Sequence, residues 1–254
     1  MPENEFELLK DLDFDSPILI EGLPGIGYVG KLAADHLVEE LDSEKFAEMR
    51  SFYFPHHVKI SEEGLLDRVK ISFHYASPGD KEFIILTGDV QATSSEGHYE
   101  VTNRILDIVE DFGVESIYCL GGYATGNHST SDPKVIGASN KEEIVENYRE
   151  EGVDVEEGSG PVLGVSGLLL GLGKSRGLEG SILMGETHGM LVDHRSAQVV
   201  LKSLSDRLDF EVDVSDLEER AEQTEEILGK LRKEKKVRES SGMEEGEEDL
   251  SYIG

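Results

Sequence analysis

The stretch that predicts the fold runs from residue 17 to residue 38 and reads Pro-Ile-Leu-Ile-Glu-Gly-Leu-Pro-Gly-Ile-Gly-Tyr-Val-Gly-Lys-Leu-Ala-Ala-Asp-His-Leu-Val. Its first part, Pro17 to Glu21, is a short apolar run typical of a buried strand. A glycine-rich turn from Gly22 to Gly30 follows, and Lys31 to Val38 has the composition of a helix. A buried strand that turns directly into a helix is the unit from which α/β domains are built.

The same alternation continues along the chain. Apolar or alternating segments predict further strands at Phe52–Phe54, Arg68–His74, Phe83–Leu86, Glu115–Gly122, Lys134–Gly137 and Gly180–Gly185. Helices are predicted after Thr93, which with Glu96 fits a capping box, and over Val162–Leu172 and Asp193–Leu208. The first of these helices carries Val101, Ile105, Ile108 and Phe112 on one face. Wholly apolar strands separated by helices predict a sheet covered on both faces, a three-layer α/β/α sandwich.

The chain is predicted to have four regions: an N-terminal extension (1–14), the α/β/α core (15–212), a C-terminal helix (213–237) and a disordered acidic tail (238–254). The C-terminal helix has an apolar stripe that either packs back on the core or forms an intermolecular seam; it comprises Leu217, Ala221, Thr224, Leu228 and Leu231. The tail is rich in Ser, Gly and Glu and closes on the apolar residues Leu250, Tyr252 and Ile253 before Gly254.

The composition is strongly acidic. Asp and Glu number 54 against 24 Lys and Arg, so the formal net charge is −30. Such a surface repels phosphate backbones and anionic lipids, which excludes general nucleic-acid binding and docking on acidic membranes. It predicts either a halophilic protein, whose charge is screened by concentrated salt, or an ordinary acidic protein with an acidic tail.

Cysteine usage and the N-terminus predict a cytoplasmic protein. The single cysteine, Cys119, cannot form an intrachain disulfide and lies in an apolar run, where a buried thiol is expected. The segment Met1 to Glu7 lacks the basic and apolar regions of a signal peptide, and no apolar stretch reaches the ~20 residues of a membrane span.

The glycine turn invites two interpretations. Gly25, Gly27 and Gly30 match the G-x-G-x-x-G spacing of dinucleotide-binding turns, and together with Gly22 could cradle an anion at a helix N-terminus. A dinucleotide site also needs a second strand ending in an acid, and the segment 45–51 shows no clean strand of that kind. Close packing of the helix on the sheet would require the same glycines, and we therefore expect no dinucleotide cofactor.

Catalytic and metal-binding signals are weak. Gly164-Val-Ser166-Gly167 resembles a nucleophile elbow, but Leu168 stands where the second glycine belongs, so a helix start rich in small residues is favoured. The one local cluster of candidate metal ligands is Glu186, His188, Asp193 and His194, and a polar loop before a helix accounts for it. We expect no catalytic residues, no metal and no cofactor.

Several segments, in order from about residue 16 to about residue 230, together resemble the archaeal proteasome-assembly-chaperone family. They are Gly22–Gly30 with the helix after it, Gly88–Gln91, Ile117–Tyr123, Gly160–Leu169 and Asp193–Val200. The resemblance implies an α/β/α fold similar to that of purine nucleoside phosphorylases, no established catalysis, a homo-oligomer, and binding to α subunits of the proteasome core particle.

Some members of that family end in a hydrophobic–Tyr–X tail that enters pockets between α subunits. By this resemblance the partner-binding residues would be Leu250, Tyr252, Ile253 and Gly254, although Tyr252 is third from the end and Ser251 occupies the hydrophobic position. The favoured function is a non-enzymatic proteasome assembly chaperone or adaptor. The alternatives are a nucleoside- or phosphate-binding protein or enzyme of nucleoside-phosphorylase type, and a purely structural homo-oligomer built on the C-terminal helix.

Overall fold

The computed structural model describes residues 4–61, 63–125, 132–155 and 160–240. Within these ranges the chain forms a nine-stranded mixed sheet, a small two-stranded sheet and six α-helices. In chain order the elements are β1 (Asn4–Leu8), β2 (Ile18–Gly22), α1 (Val29–Glu40), β3 (Glu44–Ser51), β4 (Val58–Ile60), β5 (Leu66–Arg68), β6 (Ile71–Ala76), β7 (Phe83–Gly88), α2 (Ser95–Asp111), β8 (Ser116–Ala124), β9 (Val135–Ser139), α3 (Glu142–Glu150), β10 (Asp154–Val155), α4 (Gly164–Ser175), β11 (Glu179–Thr187), α5 (His194–Leu208) and α6 (Ser215–Ser240).

The order of strands across the large sheet is β1-β3-β6-β7-β2-β8-β11-β9-β10. The four central strands, β7, β2, β8 and β11, are mutually parallel, so their carboxyl ends meet at one edge of the sheet. β6 pairs antiparallel with β7 and β9 pairs antiparallel with β11, which closes the parallel block on both sides. Ligand sites of α/β sheets usually lie at the carboxyl ends of the parallel strands.

Helices flank the sheet, and alternate residues of each central strand point to opposite helical layers. Leu19 belongs to the core under α2 and α4, together with Ile105 and Leu169, and all three are fully buried. Its neighbour Ile20 belongs to the core under α1 and α5, with Leu37 among its partners. The mixed α/β fold with helices against the sheet agrees with the prediction.

The edges of the sheet differ most from the prediction. Residues 4–8, in the predicted N-terminal extension, form β1 and pair with β3 in antiparallel register. The segment 45–51, which showed no clean strand, lies in β3, and the predicted strand Phe52–Phe54 is a turn after it. The helix α3 and the short strand β10 were not predicted. β1 is an edge strand whose exposed positions carry Glu5 and Glu7, so its apolar pattern is weak. β3 lies one strand further in and is buried on both faces from Phe46 to Met49, but the charged Glu48 interrupts its apolar run.

The start of α2 also differs. Ser94, not Thr93, is the N-cap, because its hydroxyl accepts a hydrogen bond from the Gly97 amide at 3.0 Å. Thr93 instead donates its amide to the Tyr53 carbonyl at 3.0 Å. The predicted Thr93–Glu96 capping box is therefore wrong, since the turn after β3 holds Thr93 outside the helix. With Ser94 as the N-cap, Gly97 stands where a capping box needs Glu or Gln.

The last helix, α6, packs against α5 through its N-terminal part, where Leu217 and Ala221 are buried. These are the first two members of the apolar stripe, so that part of the helix packs back on the core. The helix continues to Ser240, three residues into the segment predicted as tail, and residues 241–254 lie outside the described residues. No helix in the described ranges is long and apolar enough to cross a membrane.

Candidate functional site

A groove of about 660 Å³ opens at the carboxyl edge of the central strands, and we call it the carboxyl-edge groove. Its walls come from the turn after β2, the ends of β8 and β11, and the segments leading into α2 and α4. The floor is mainly apolar and includes Leu23, Leu120, Ile182 and Met184. On the rim, Ile26 and Leu163 are 42% and 72% exposed. The groove is thus an open site suited to apolar groups.

The glycine turn after β2 forms one wall, and two of its four predicted site glycines serve packing. A Cβ on Gly22 would lie 2.2 Å from the Gly30 carbonyl oxygen, and a Cβ on Gly30 would lie 2.0 Å from the Leu120 carbonyl oxygen. The start of α1 is therefore pressed directly on β2 and β8, which only glycine permits. Close packing of the helix on the sheet was one of the two interpretations of the glycine turn.

The other two glycines shape the turn. Gly27 has a φ of +61°, and its carbonyl accepts a hydrogen bond from the Asp193 amide at 3.0 Å, which ties the turn to the segment before α5. A Cβ on Gly25 would meet only the Leu23 carbonyl oxygen at 3.9 Å, so Gly25 has free space beside it. Gly25 and Gly30 line the carboxyl-edge groove.

Electrostatics on the described wall do not favour phosphate. No Lys or Arg is among the described residues that line the groove. The nearest cation in sequence, Lys31, pairs with Asp35 at 2.7 Å, and Asp35 also accepts a hydrogen bond from Thr87 at 2.5 Å. Anion binding thus stays a prediction for Gly22, Gly25, Gly27 and Gly30. No Lys or Arg on the described groove wall would neutralise such an anion.

The order of strands also differs from that of the dinucleotide-binding fold. In that fold the strand after the first helix lies next to the first strand and ends in the ribose-binding acid. Here β3 ends at Ser51 and pairs with β1 and β6, whereas the neighbours of β2 are β7 and β8. The literal G-x-G-x-x-G match therefore lies in a different topology.

A buried acid lies beside the groove at the end of β2. Glu21 is fully buried, and its Oε1 accepts a hydrogen bond from the Leu23 amide at 3.0 Å. Its Oε2 forms no hydrogen bond of acceptable geometry within the described residues, although Ser166 and Cys119 are neighbours. Burial raises the pKa of Glu21, and the hydrogen-bonding groups of Ser166, Leu23 and Cys119 oppose that rise only in part. Glu21 was not predicted as a site residue; its signal was a lone acid closing an apolar run.

The neighbours of Glu21 give no reactive nucleophile. Burial first, and then the Glu21 charge, raise the pKa of the Cys119 thiol well above its usual range, so the reactive thiolate is disfavoured. Ser166 is the third residue of α4 and not the apex of a strand-to-helix turn, as a nucleophile elbow requires. The helix start that the sequence favoured at Gly164–Gly167 is confirmed.

Gln91 joins three walls of the groove. Its Nε2 donates to the Pro24 carbonyl at 2.7 Å, and its Oε1 accepts from the Val165 amide at 3.0 Å. The side chain therefore links the turn after β2 to the first turn of α4 and caps one of its amides. Gly88–Gln91 was singled out from the sequence only as part of a resemblance, and the structure shows what its last residue does.

Two members of the polar cluster around the end of β11 and the start of α5, Asp193 and Glu186, have structural partners. Asp193 caps α5 by accepting from the Ser196 amide at 3.0 Å, and also accepts from Thr187 at 2.7 Å. Glu186 accepts from the Lys134 amide at 3.2 Å. Within the described ranges no three His, Cys, Asp or Glu side chains come together as metal ligands. The predicted tail residues Leu250, Tyr252, Ile253 and Gly254 lie outside the described residues.

Comparison with known proteins gives close and nearly full-length similarities. The structure of Pyrococcus furiosus PbaB, described as an archaeal proteasome activator, is 42% identical and covers 91% of this chain and 100% of its own, with a TM-score of 0.86. Pyrococcus furiosus PbaA, described as an archaeal homolog of proteasome-assembly chaperone, is 28% identical over 93% of this chain and 100% of its own, with a TM-score of 0.74.

A curated protein of Methanocaldococcus jannaschii, itself uncharacterized, is 35% identical over 97% of this chain and 96% of its own length. The sequence profile of the PAC2 family matches residues 19–232, which include the whole parallel block and the start of α6. The resemblance inferred from the glycine turn and the segments after it is confirmed: this chain belongs to the PAC2 family.

Proposed function

We propose that this protein is a non-enzymatic adaptor of the proteasome, an assembly chaperone or activator, that binds α subunits of the core particle. The observation that carries the proposal is the 42% identity to the proteasome activator PbaB over its entire chain, at a TM-score of 0.86. The carboxyl-edge groove supports a binding role, because its described wall holds apolar groups and no Lys or Arg.

The partner-binding residues in this proposal are Leu250, Tyr252, Ile253 and Gly254. Burial of one large apolar side chain in a partner pocket contributes about 1.5–3 kcal/mol. A homo-oligomer would present several such tails at once and raise the avidity.

The test is binding of the full-length chain to purified core particles at high salt. Deletion of residues 250–254 should abolish measurable binding, and Tyr252→Ala should weaken it at least about fivefold, which corresponds to ~1 kcal/mol. Ser251→Ala is the matched control, since it alters the same segment without removing an apolar group, and should bind as the parent does. Unchanged affinity after the deletion would place any proteasome contact on the folded domain.

A second candidate function is small-molecule binding, of a nucleoside or phosphate, in a fold similar to nucleoside phosphorylases. The groove volume of about 660 Å³ favours it, since ligand sites usually measure about 300–1,000 Å³. The lack of Lys and Arg on the described wall favours an uncharged nucleoside over phosphate. Calorimetric titration with inosine, with and without phosphate, separates this function from the first.

A further inference from the structure

We propose that the carboxyl-edge groove is the docking site of the chain's own last five residues, 250–254, and that docking withholds them from partners. The docking does not depend on proteasome binding; only its regulatory consequence rests on the proposed function. Three features of the described residues carry the inference: the apolar character of the groove, the charge beside it, and the direction in which α6 leaves the core.

The first feature is an apolar surface that stays exposed among the described residues. Besides Ile26 and Leu163 on the groove rim, the segment before α5 exposes Met190 by 82% and Leu191 by 53%. This segment adjoins the rim, because a Cβ on Gly189 would lie 3.3 Å from Ile26 Cγ2. A contiguous exposed apolar surface on a chain with 31% charged residues marks a binding surface. Leu250, Tyr252 and Ile253 are complementary to it in character.

One end of the groove also offers backbone amides to a side-chain carboxylate of the tail, such as that of Asp249. The first turn of α4 opens into it through Gly164 and Ser166, and the N-cap residue Leu163 supplies no side-chain cap. The first amides of a helix lack partners within the helix and favour negative charge. Gln91 occupies the Val165 amide only. Burial favours the neutral form of Glu21, which limits its repulsion of a carboxylate nearby.

The second feature is a cationic cluster beside the groove, made of Lys31, Lys59, Arg68 and Lys70. It borders the groove where a Cβ on Gly88, which lines the cluster, would lie 3.0 Å from Leu23 Cδ2. The residues just before the docking segment, 244–249, read Glu-Glu-Gly-Glu-Glu-Asp. The tail thus carries acidic and then apolar residues, as the surface carries a cationic cluster and then an apolar groove.

The cations of this cluster already pair with acids, for example Lys59 with Asp89 and Lys70 with Asp67, each at 2.5 Å. The Lys59 and Asp67 side chains are 58% and 51% exposed, but their partners Asp89 and Lys70 are only 19% and 20% exposed. The Arg68–Glu5 pair is exposed on both sides, by 54% and 48%. Ion pairs exposed on both sides, such as Arg68–Glu5, contribute little to stability, so Arg68 can exchange its partner at small cost. The cluster is therefore available to an acidic segment.

The third feature is reach. The Asp213 carbonyl accepts a hydrogen bond from His36 in the middle of α1 at 2.6 Å, and Glu225 lies 3.4 Å from Arg195 at the start of α5. Because α5 starts just after the carboxyl end of β11, α6 runs toward the groove edge of the sheet. From Glu225 the helix advances about 22 Å to Ser240. The ten residues from 241 to 250 span up to about 33–36 Å when extended, which exceeds the distance that the helix has advanced beyond Glu225.

The chain contains no tryptophan, so Tyr252→Trp in the full-length protein gives a single fluorophore on the docking segment. Docking predicts a blue-shifted emission and iodide quenching at least about tenfold weaker than for a free Trp peptide. A tenfold excess of docked over free tail corresponds to ~1.4 kcal/mol. Adding Leu163→Asp on the groove rim should return both signals to those of the peptide. Leu65→Asp is the matched control, because Leu65 is 68% exposed and Leu163 72%, and Leu65 does not line the groove. Ile26→Asp is a second substitution on the groove rim and should have the same effect as Leu163→Asp.

The docking is overturned if the Tyr252→Trp protein emits like an exposed Trp. It is also overturned if the blue shift survives both Leu163→Asp and Ile26→Asp. A signal independent of protein concentration supports docking in the same chain, whereas a signal lost on dilution shows a second copy as the source and overturns it. Release of the tail by Leu163→Asp should raise affinity for core particles. If the Trp is docked and deletion of 250–254 leaves proteasome binding unchanged, the proposed function fails while the docking stands.

Discussion

Glu21 is a single side chain that should make the stability of the fold depend on pH. It is fully buried, and burial raises its pKa above the usual 4.5, so the folded chain holds this proton to higher pH than the unfolded chain does. Stability should then fall as pH rises from about 4.5 through the raised pKa, because over that window the native state binds more protons. The loss comes from ionising a buried carboxyl.

Glu21→Gln removes this dependence, since the amide mimics the neutral carboxyl and its oxygen can still accept from Leu23. The variant should match the parent in free energy of unfolding near pH 4.5 and exceed it increasingly as pH rises. Urea unfolding at fixed high salt across this range measures the difference. The exposed Glu39→Gln is the control and should show no such trend. A constant difference between Glu21→Gln and the parent would contradict the prediction.

Gly30 shows the contrast between a packed and an open glycine in a helix. Gly30→Ala would place a Cβ 2.0 Å from the Leu120 carbonyl oxygen, and overpacking of this kind costs about 1–3 kcal/mol or more. Gly171→Ala in α4 meets nothing within 4 Å and should stabilise the fold by about 0.5–1 kcal/mol. Thermal midpoints of the two variants should move in opposite directions. Equal shifts would mean that α1 can move away from β8.

At the scale of elements, Gln91 holds the turn after β2 and the start of α4 together. Gln91→Ala leaves the Pro24 carbonyl and the Val165 amide without this partner, at a cost of about 1–3 kcal/mol for buried groups. Gln223→Ala is the control, because its side chain bonds only to Glu219 on the exposed face of α6 and contributes about 0.2–0.5 kcal/mol. Hydrogen exchange should show faster opening of the first turn of α4 in Gln91→Ala. Unchanged exchange there would mean that Gln91 does not hold this turn.

At the scale of the whole molecule, the net charge of −30 leaves at least 30 carboxylates without a cation to pair one to one. Their mutual repulsion falls as salt shortens the screening length to ~3 Å at 1 M. We therefore expect the thermal midpoint to rise by at least about 5 °C between about 0.1 M and 2 M KCl, roughly 2 kcal/mol for a chain of this size. NaCl at the same ionic strength is the control and should give a similar rise, because screening depends on ionic strength and not on the identity of the cation. A flat profile would remove the halophilic interpretation.

The parallel centre of this fold could be predicted from the sequence because its signals are local. Ile18–Ile20, Phe83–Leu86 and Ile117–Leu120 are apolar because both faces of their strands are covered, and the first two are each followed by a helix of period 3.6. The glycine turn after β2 and the later segments also resemble the archaeal proteasome-assembly-chaperone family, and the match to the PAC2 family confirms that resemblance.

Only the tertiary structure decided which strands are neighbours, where the edges lie and what the groove contains. β1 and β3 carry alternating charges and gain their order from pairing with each other, a contact between residues more than 35 apart in sequence. The burial of Glu21 and the joining of Pro24, Gln91 and Val165 likewise depend on segments brought together by the sheet. Such contacts leave no periodic trace in any one segment, because their energy belongs to pairs of distant residues and not to local propensity.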